Sequence, residues 1–216
     1  MKKGLTELVF IVDRSGSMAG LEDDTVGGIN AVLARNRAAE GEAIVSIVLF
    51  DNEAEVLIDR VPLAEVSDLT RKDYWVRGCT ALLDSLGGSI RHIGRVQGYL
   101  PEECRAEHVI FVVTTDGMEN ASRRYSYDEV KRMVEARTEE GWEFMFLGAN
   151  IDAVGEAARI GISPDRATEY VSDGIGTNVM YGAVADACCE MRSAPAGSRI
   201  GSSWKRLVER DVARRR

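Results

Sequence analysis

Apolar and polar positions along the chain follow two alternating periods. Short, nearly unbroken apolar runs at 7–12, 43–50, 55–61, 108–115, 142–147 and 168–172 read as strands. Between them, apolar residues recur at helical spacing over 24–39, 81–96, 127–140, 153–160 and 178–191. Runs such as V-S-I-V-L-F and V-I-F-V-V carry almost no polar alternation, the pattern of strands covered on both faces. Only residues 51–54 separate the second run from the third, which predicts a hairpin there. Ser126 and Glu129 have the spacing of a capping box, and Gly141 ends the helix that they open. The alternation predicts an α/β fold: a three-layer sandwich whose mostly parallel, six-stranded sheet has helices on both faces.

The pattern fails after about residue 193. S-A-P-A-G-S-R-I-G-S-S reads as a flexible connector. Beyond it, Trp204, Leu207, Val208 and Val212 recur at helical spacing among Lys205, Arg206, Arg210, Arg214, Arg215 and Arg216. The expected organisation is one domain over 1–192 and a basic tail over 193–216, either flexible or a short amphipathic helix. With so small an apolar stripe the tail is expected to stay outside the core, and its removal to leave the melting temperature nearly unchanged.

Composition narrows the class. The 216 residues are 45% hydrophobic, enough for one sizeable core. The net charge is −8, and the tail's seven Arg/Lys against two Asp/Glu leave the rest at −13. That balance makes nucleic acid an unlikely partner. The start M-K-K-G-L-T-E-L-V-F-I-V is too short in its apolar part, and too interrupted by Thr6, Glu7 and Asp13, for a signal peptide. No segment reaches the roughly 20 apolar residues of a membrane span. Cys79, Cys104, Cys188 and Cys189 show neither zinc spacing nor a disulfide framework, so a reduced, cytoplasmic protein is expected.

The first apolar run ends on Asp13, and Ser15 and Ser17 follow at alternate positions in V-F-I-V-D-R-S-G-S-M-A-G. The fourth ends on Asp116 in V-I-F-V-V-T-T-D-G-M-E-N. In an open α/β sheet, ligands bind beyond the carboxyl ends of the strands, where strand order reverses. If these two strands flank that point, their carboxylates face one another, and a cation would relieve the repulsion. Ser15 and Ser17 can aim two hydroxyls at one spot, and Thr80 in R-G-C-T-A-L-L-D can add a third. Two carboxylates and three hydroxyls form an all-oxygen set suited to Mg²⁺, with at least one of six positions left for water or a partner's oxygen. Each residue alone also has a plainer use, as a helix N-cap or in turn chemistry. Convergence of three separate elements favours the metal.

These motifs resemble a von Willebrand factor type A domain with an intact metal-ion-dependent adhesion site. In that family a D-x-S-x-S loop, a threonine from a second loop and an aspartate after the fourth strand hold Mg²⁺ or Mn²⁺; the matching positions are Asp13, Ser15, Ser17, Thr80 and Asp116. The similarity covers about 5–190 and is strongest to small single-domain prokaryotic members, around D-R-S-G-S-M, Y-W-V-R-G-C-T-A-L-L-D, T-T-D-G-M-E-N and F-L-G-A-N-I-D. The resemblance implies a sheet order 3-2-1-4-5-6 with strand 3 antiparallel at the edge. It also implies a module that binds a protein partner through that partner's Asp or Glu carboxylate, working beside an AAA+ ATPase or in a multi-protein complex.

Other residues belong to the same rim: Asp51 and Asn52, Glu119 and Asn120, Asn150 and Asp152, with Tyr74, Trp75 and Arg77 ahead of Thr80. They are expected to form a binding surface with acidic character at Asp51, Glu119 and Asp152. A metal-dependent hydrolase or phosphatase at the same site is the alternative reading. It lacks a histidine base: His108 begins a strand about 25 Å from the site at ~3.3 Å per residue, and His92 lies roughly 18 Å along a helix. Catalysis is therefore not expected, and Cys79 reads as a space-filling residue in its loop.

Overall fold

The computed structural model describes residues 1–215; Arg216, counted above in the basic tail, lies outside them. The strands are β1 (Lys2–Asp13), β2 (Glu42–Phe50), β3 (Ala54–Pro62), β4 (Ala106–Thr115), β5 (Glu143–Gly148) and β6 (Ala167–Glu169). The helices are α1 (Glu22–Ala38), α2 (Leu82–Tyr99), α3 (Tyr127–Glu139), α4 (Ala153–Arg159), α5 (Gly174–Arg192) and α6 (Arg206–Arg215). Six strands form one sheet in the order β3-β2-β1-β4-β5-β6, as expected. All neighbours are parallel except β2 and β3, the predicted hairpin.

Strand β1 shows why the apolar runs have no polar alternation. Leu8, Phe10 and Val12 enter the core beneath α1 and α5, while Val9 and Ile11 enter the opposite core beneath α2, α3 and α4. Both faces are covered, so neither can be polar. On one face α1 packs on α5, and Gly28 permits the close crossing, because a Cβ there would collide with the Tyr181 ring. Helix α1 begins with Glu22, Asp23 and Asp24 and ends with Arg35 and Arg37, each set favoured by the helix dipole. The capping box of Ser126 and Glu129 opens α3 as predicted.

Two features depart from the sequence expectations. Helix α5 starts four residues early, because Asp173 accepts the Gly176 N–H at 2.8 Å and caps a turn whose glycines disguise it. The larger correction concerns the tail. Ile200, Trp204 and Val208, spaced by four, are buried in the same core cluster as α1 and α5. Trp204 Nε1 donates to the Asp165 carbonyl at 3.0 Å, and Lys205 Nζ donates to the carbonyls of Pro164 and Ala167 at 2.8 and 3.0 Å. Arg199 reaches the buried Glu143, and His108 Nε2 lies 3.0 Å from the Ala194 carbonyl. The expectation of a tail outside the core underestimated the stripe: Trp204 and Val208 are buried and Leu207 is exposed, but the buried row continues backwards into the connector through Ile200. Among the described residues no helix is long and apolar enough to cross a membrane.

Candidate functional site

Parallel pairing of β1 with β4 sets Val12 level with Thr114, so Asp13 and Thr115 end their strands side by side and Asp116 follows immediately. The reversal of strand connection falls between these two strands, where a crevice opens at their carboxyl ends. Asp13 is fully buried. Its Oδ1 accepts the Ser15 N–H at 2.6 Å, and its Oδ2 accepts the Thr115 hydroxyl at 2.5 Å. The Tyr74 hydroxyl donates to the Asp13 carbonyl at 2.6 Å and fixes the backbone below it.

The hydroxyls converge on the same point. Ser15 Oγ lies 3.0 Å from Ser17 Oγ. Gly117 shows where the third one sits: a Cβ there would be 3.3 Å from both Ser17 Oγ and Thr80 Oγ1. The Ser17 hydroxyl also favours the charged form of the Asp116 carboxylate. Thr80 is held by Asn120, whose side-chain oxygen accepts the Thr80 N–H at 2.9 Å and whose own N–H donates to the Thr80 carbonyl at 3.0 Å. All five predicted residues therefore meet in one crevice.

The electrostatics of this crevice are unbalanced. Burial pushes the Asp13 carboxyl above the ordinary range, and the Asp116 charge adds to that, against hydrogen bonds from Thr115 and Ser15. Burial likewise raises Asp116, opposed in part by Ser17. Asp116 Oδ1 is buried with no hydrogen-bond partner, and among the described residues no Lys, Arg or His forms an ion pair with either carboxylate. A buried acceptor without a donor is costly. A hard divalent cation fits this donor set, because it would take the orphaned oxygen, both charges and the hydroxyls together. Among the described residues no group of three or more His, Cys, Asp or Glu gathers in a metal-binding cluster, so any site here depends on its serine and threonine oxygens.

A buried arginine supports the loop. Arg14, between Asp13 and Ser15, has a side chain that is 0% exposed. Its Nε donates to Asp51 at 2.8 Å, its Nη2 lies 2.7 Å from Glu55, and its guanidinium carbon lies 5.3 Å from the centre of the Trp75 ring. Arg77 Nε donates to the same Asp51 oxygen at 2.7 Å. Burial works against the Asp51 charge, but hydrogen bonds from Arg77, the Glu53 amide and Arg14 outweigh it and hold the carboxyl below the usual range. Backbone bonds from Gly16 to Gly78 and from Arg77 to Arg14 join the two ligand loops, and one from Ala81 to Asp51 ties the Thr80 loop to the turn after β2.

Of the three acids expected on the rim, only Asp51 has cationic partners. Asp51 is neutralised by two guanidiniums, Glu119 accepts the N–H groups of Leu83, Ala121 and Ser122, and Asp152 caps α4 through the Gly155 N–H. Among the described residues neither Asn150 nor Asp152 has a hydrogen bond to the five site residues. Tyr74 is buried under the site and so belongs to its support. Asn52 orders the Thr80 loop by accepting the Cys79 N–H at 2.8 Å. Among its exposed polar residues the rim also presents apolar ones: Trp75 at 45%, Met118 at 60% and Ile175 at 64%, with Val154 in the first turn of α4. The roles of Arg14 and Thr115 escaped the sequence reading; D-R-S and T-T-D were both on view, but neither spacing says which way the middle residue turns.

The histidines lie away from this crevice. His92 Nε2 is 2.8 Å from Asp59, and His108 meets the Ala194 carbonyl as described.

No family model matches the sequence, and no curated protein matches it. Solved structures do. Proximal thread matrix protein 1 from the mussel byssus, in a structure with its MIDAS motif occupied by zinc, is 17% identical with a TM-score of 0.60 over 87% of this chain and 46% of its own. The minor pilin PilB of Streptococcus sanguinis is 14% identical with a TM-score of 0.59, over 88% of this chain and 63% of its own. A von Willebrand factor type A protein from Catenulispora acidiphila is 14% identical with a TM-score of 0.55, over 87% of this chain and 43% of its own. The chain thus spans from under half to under two thirds of the length of these structures. With the sheet order and the single antiparallel edge strand, these likenesses establish that the protein has the von Willebrand factor type A fold.

Proposed function

We propose that the protein is a metal-dependent protein-interaction module. In this reading Asp13, Ser15, Ser17, Thr80 and Asp116 hold Mg²⁺ or Mn²⁺, and a partner protein presents an Asp or Glu carboxylate at the same point. The observation that carries the reading is the buried Asp13–Asp116 pair, with an unpartnered oxygen and no cationic side chain to offset it. A divalent cation held there would offset the two charges and offer a hard acceptor for one further anionic oxygen. The zinc-occupied motif of the mussel protein, which shares the fold, supports the assignment.

The chain's own residues do the rest. Thr115 and the Ser15 N–H orient the Asp13 carboxylate, Tyr74 holds its backbone, and Asn120 fixes Thr80. These bonds preorganise the donors before anything binds. Trp75, Met118, Val154 and Ile175 then provide apolar contact around the acidic anchor, so the partner suited to this rim carries its carboxylate within an apolar patch. Such a partner is an AAA+ ATPase or a member of a multi-protein complex. The free thiols of Cys79, Cys104, Cys188 and Cys189 suit a cytoplasmic setting.

The test is capture of partners from native lysate with Mg²⁺, with a chelator, and with Asp13→Ala. A partner retained only by the wild-type chain with metal is expected, and it should persist at moderate salt, because buried contacts are screened little. Replacing its Asp and Glu residues by amides one at a time should find a single position that abolishes binding. Capture that is undiminished without metal overturns the proposal.

A further inference from the structure

Over much of the surface, arginines are matched to acids: Arg35 to Asp186, Arg37 to Asp68, Arg71 to Asp23 and Arg159 to Glu156. The face built by α2 and α3 breaks this pattern. Arg91 and Arg95 on α2, Arg123 and Arg124 in the preceding loop of α3, and Arg132 on α3 are all exposed. Among the described residues none of the five forms an ion pair. Glu129, three residues before Arg132, has its carboxylate bonded by the Ser126 N–H and hydroxyl, and these bonds with the Arg132 charge hold it below the usual range. The backbone carrying Arg123 and Arg124 is fixed, because their N–H groups both donate to Asp84, at 3.0 and 2.8 Å.

Between the two helices lies a groove of about 580 Å³ whose floor and walls include Ile90, Tyr125 and Met133. Two glycines seven residues apart on α2, and so on one face, set its ends. The Tyr125 ring lies against Gly87, where a Cβ would be 2.8 Å from it. The Arg137 guanidinium lies over Gly94, stacked on Trp142 at 4.9 Å and paired with Glu140 at 2.5 Å. The channel between these ends has an apolar bottom, and its walls carry Arg91, Arg95, Arg132 and Arg137 against Glu129 and Glu140, an excess of positive charge.

We propose that the α2–α3 groove is a second docking site, which takes an acidic amphipathic helix from a partner protein. Charge complementarity selects the occupant: guanidiniums without partners call for carboxylates, and the apolar floor calls for an apolar stripe alongside them. Nucleic acid meets only the first requirement, and the −8 body repels a dense polyanion. An 18-residue α2, about 27 Å long, is long enough for a partner helix of several turns to lie beside it. The proposal does not rest on metal binding, because the groove lies along the helices and not among the ligand loops.

Fluorescence anisotropy of the whole chain tests it with three labelled probes: a designed Glu/Leu helix of about fifteen residues with leucines at i, i+3, i+4 and i+7, a scrambled peptide of the same composition, and single-stranded DNA. The helix should bind at least roughly tenfold more tightly than the scrambled peptide or the DNA. Joint substitution Arg91→Glu, Arg95→Glu and Arg132→Glu should weaken it by roughly tenfold or more, the corresponding Gln variant by less, and Asp13→Ala not at all. If the Glu variant fails to fold, the Gln variant decides. Equal binding of the scrambled peptide, tighter binding of DNA, loss with Asp13→Ala, no loss in the charge variants, or no saturable binding of the helix overturns the proposal.

Discussion

A chain cut after Arg192 melts at least about 10 °C below the full-length protein, or fails to fold. The cut removes Ile200, Trp204 and Val208 from the core shared by α1 and α5. Exposing a buried tryptophan costs about 3–5 kcal/mol, and the two aliphatic residues add roughly 2–5 kcal/mol more. That total approaches the whole stability of an ordinary domain, about 5–15 kcal/mol. The cut also unpairs the Ala194 carbonyl from His108 and strips Arg199 from Glu143, leaving that buried acid to Arg166 alone. Trp204→Ala separates packing from chain length and should lower the melting temperature by roughly 10 °C on its own, at about 2–4 °C per kcal/mol. A change under about 2 °C for the truncated chain would show that the C-terminal segment is not integral to the fold.

Arg14→Ala has the second large effect, with an expected loss of about 3–5 kcal/mol. The reason is asymmetry. Arg14 is buried against Asp51, so its removal leaves a buried carboxylate with only Arg77 as cationic partner. It also takes the cation from the Trp75 ring. Arg77→Ala breaks a half-exposed pair with the same acid and should cost no more than about 1 kcal/mol. Acid sensitivity checks the assignment. Because the folded Asp51 carboxyl lies below its unfolded value of about 3.9, its contribution is complete above that pH and is lost as pH falls below it. Arg14→Ala should weaken that dependence. Urea unfolding at neutral and acid pH measures both effects, and equal losses for the two arginines would contradict the burial argument.

These two results mark where the sequence was legible and where it was not. Strands β1, β2, β4 and β5 were readable because burial on both faces forbids polar alternation, and the hairpin because its link is too short for a crossover. The five oxygens were readable because each stands at a strand end or a helix start, where topology alone decides who meets whom. The tail was not. Its buried positions run 200, 204 and 208; the reading included Trp204 and Val208 in the stripe but left out Ile200, which stands in a connector full of glycine and serine. Arg14 was hidden for a different reason: a charged residue in a loop is ordinarily solvated, and only the fold shows Asp51, Glu55 and Trp75 gathered round it. Asp51 misled in the same way, because sequence shows a carboxylate but not the two guanidiniums that pair with it.

The central claim is that the crevice between β1 and β4 binds one divalent cation through Asp13, Ser15, Ser17, Thr80 and Asp116. Calorimetric titration of Mn²⁺ and Mg²⁺ into the wild-type chain and into Asp13→Ala, with melting curves on the same samples, tests it most directly. The account predicts one saturable site in the wild type and a stabilisation of about 2.7 kcal/mol at a hundredfold excess over the dissociation constant, which is roughly 5–10 °C in melting temperature. In folded Asp13→Ala both signals should be absent. A wild-type chain that takes up neither ion, or an Asp13→Ala chain that binds and is stabilised as the wild type is, would contradict it.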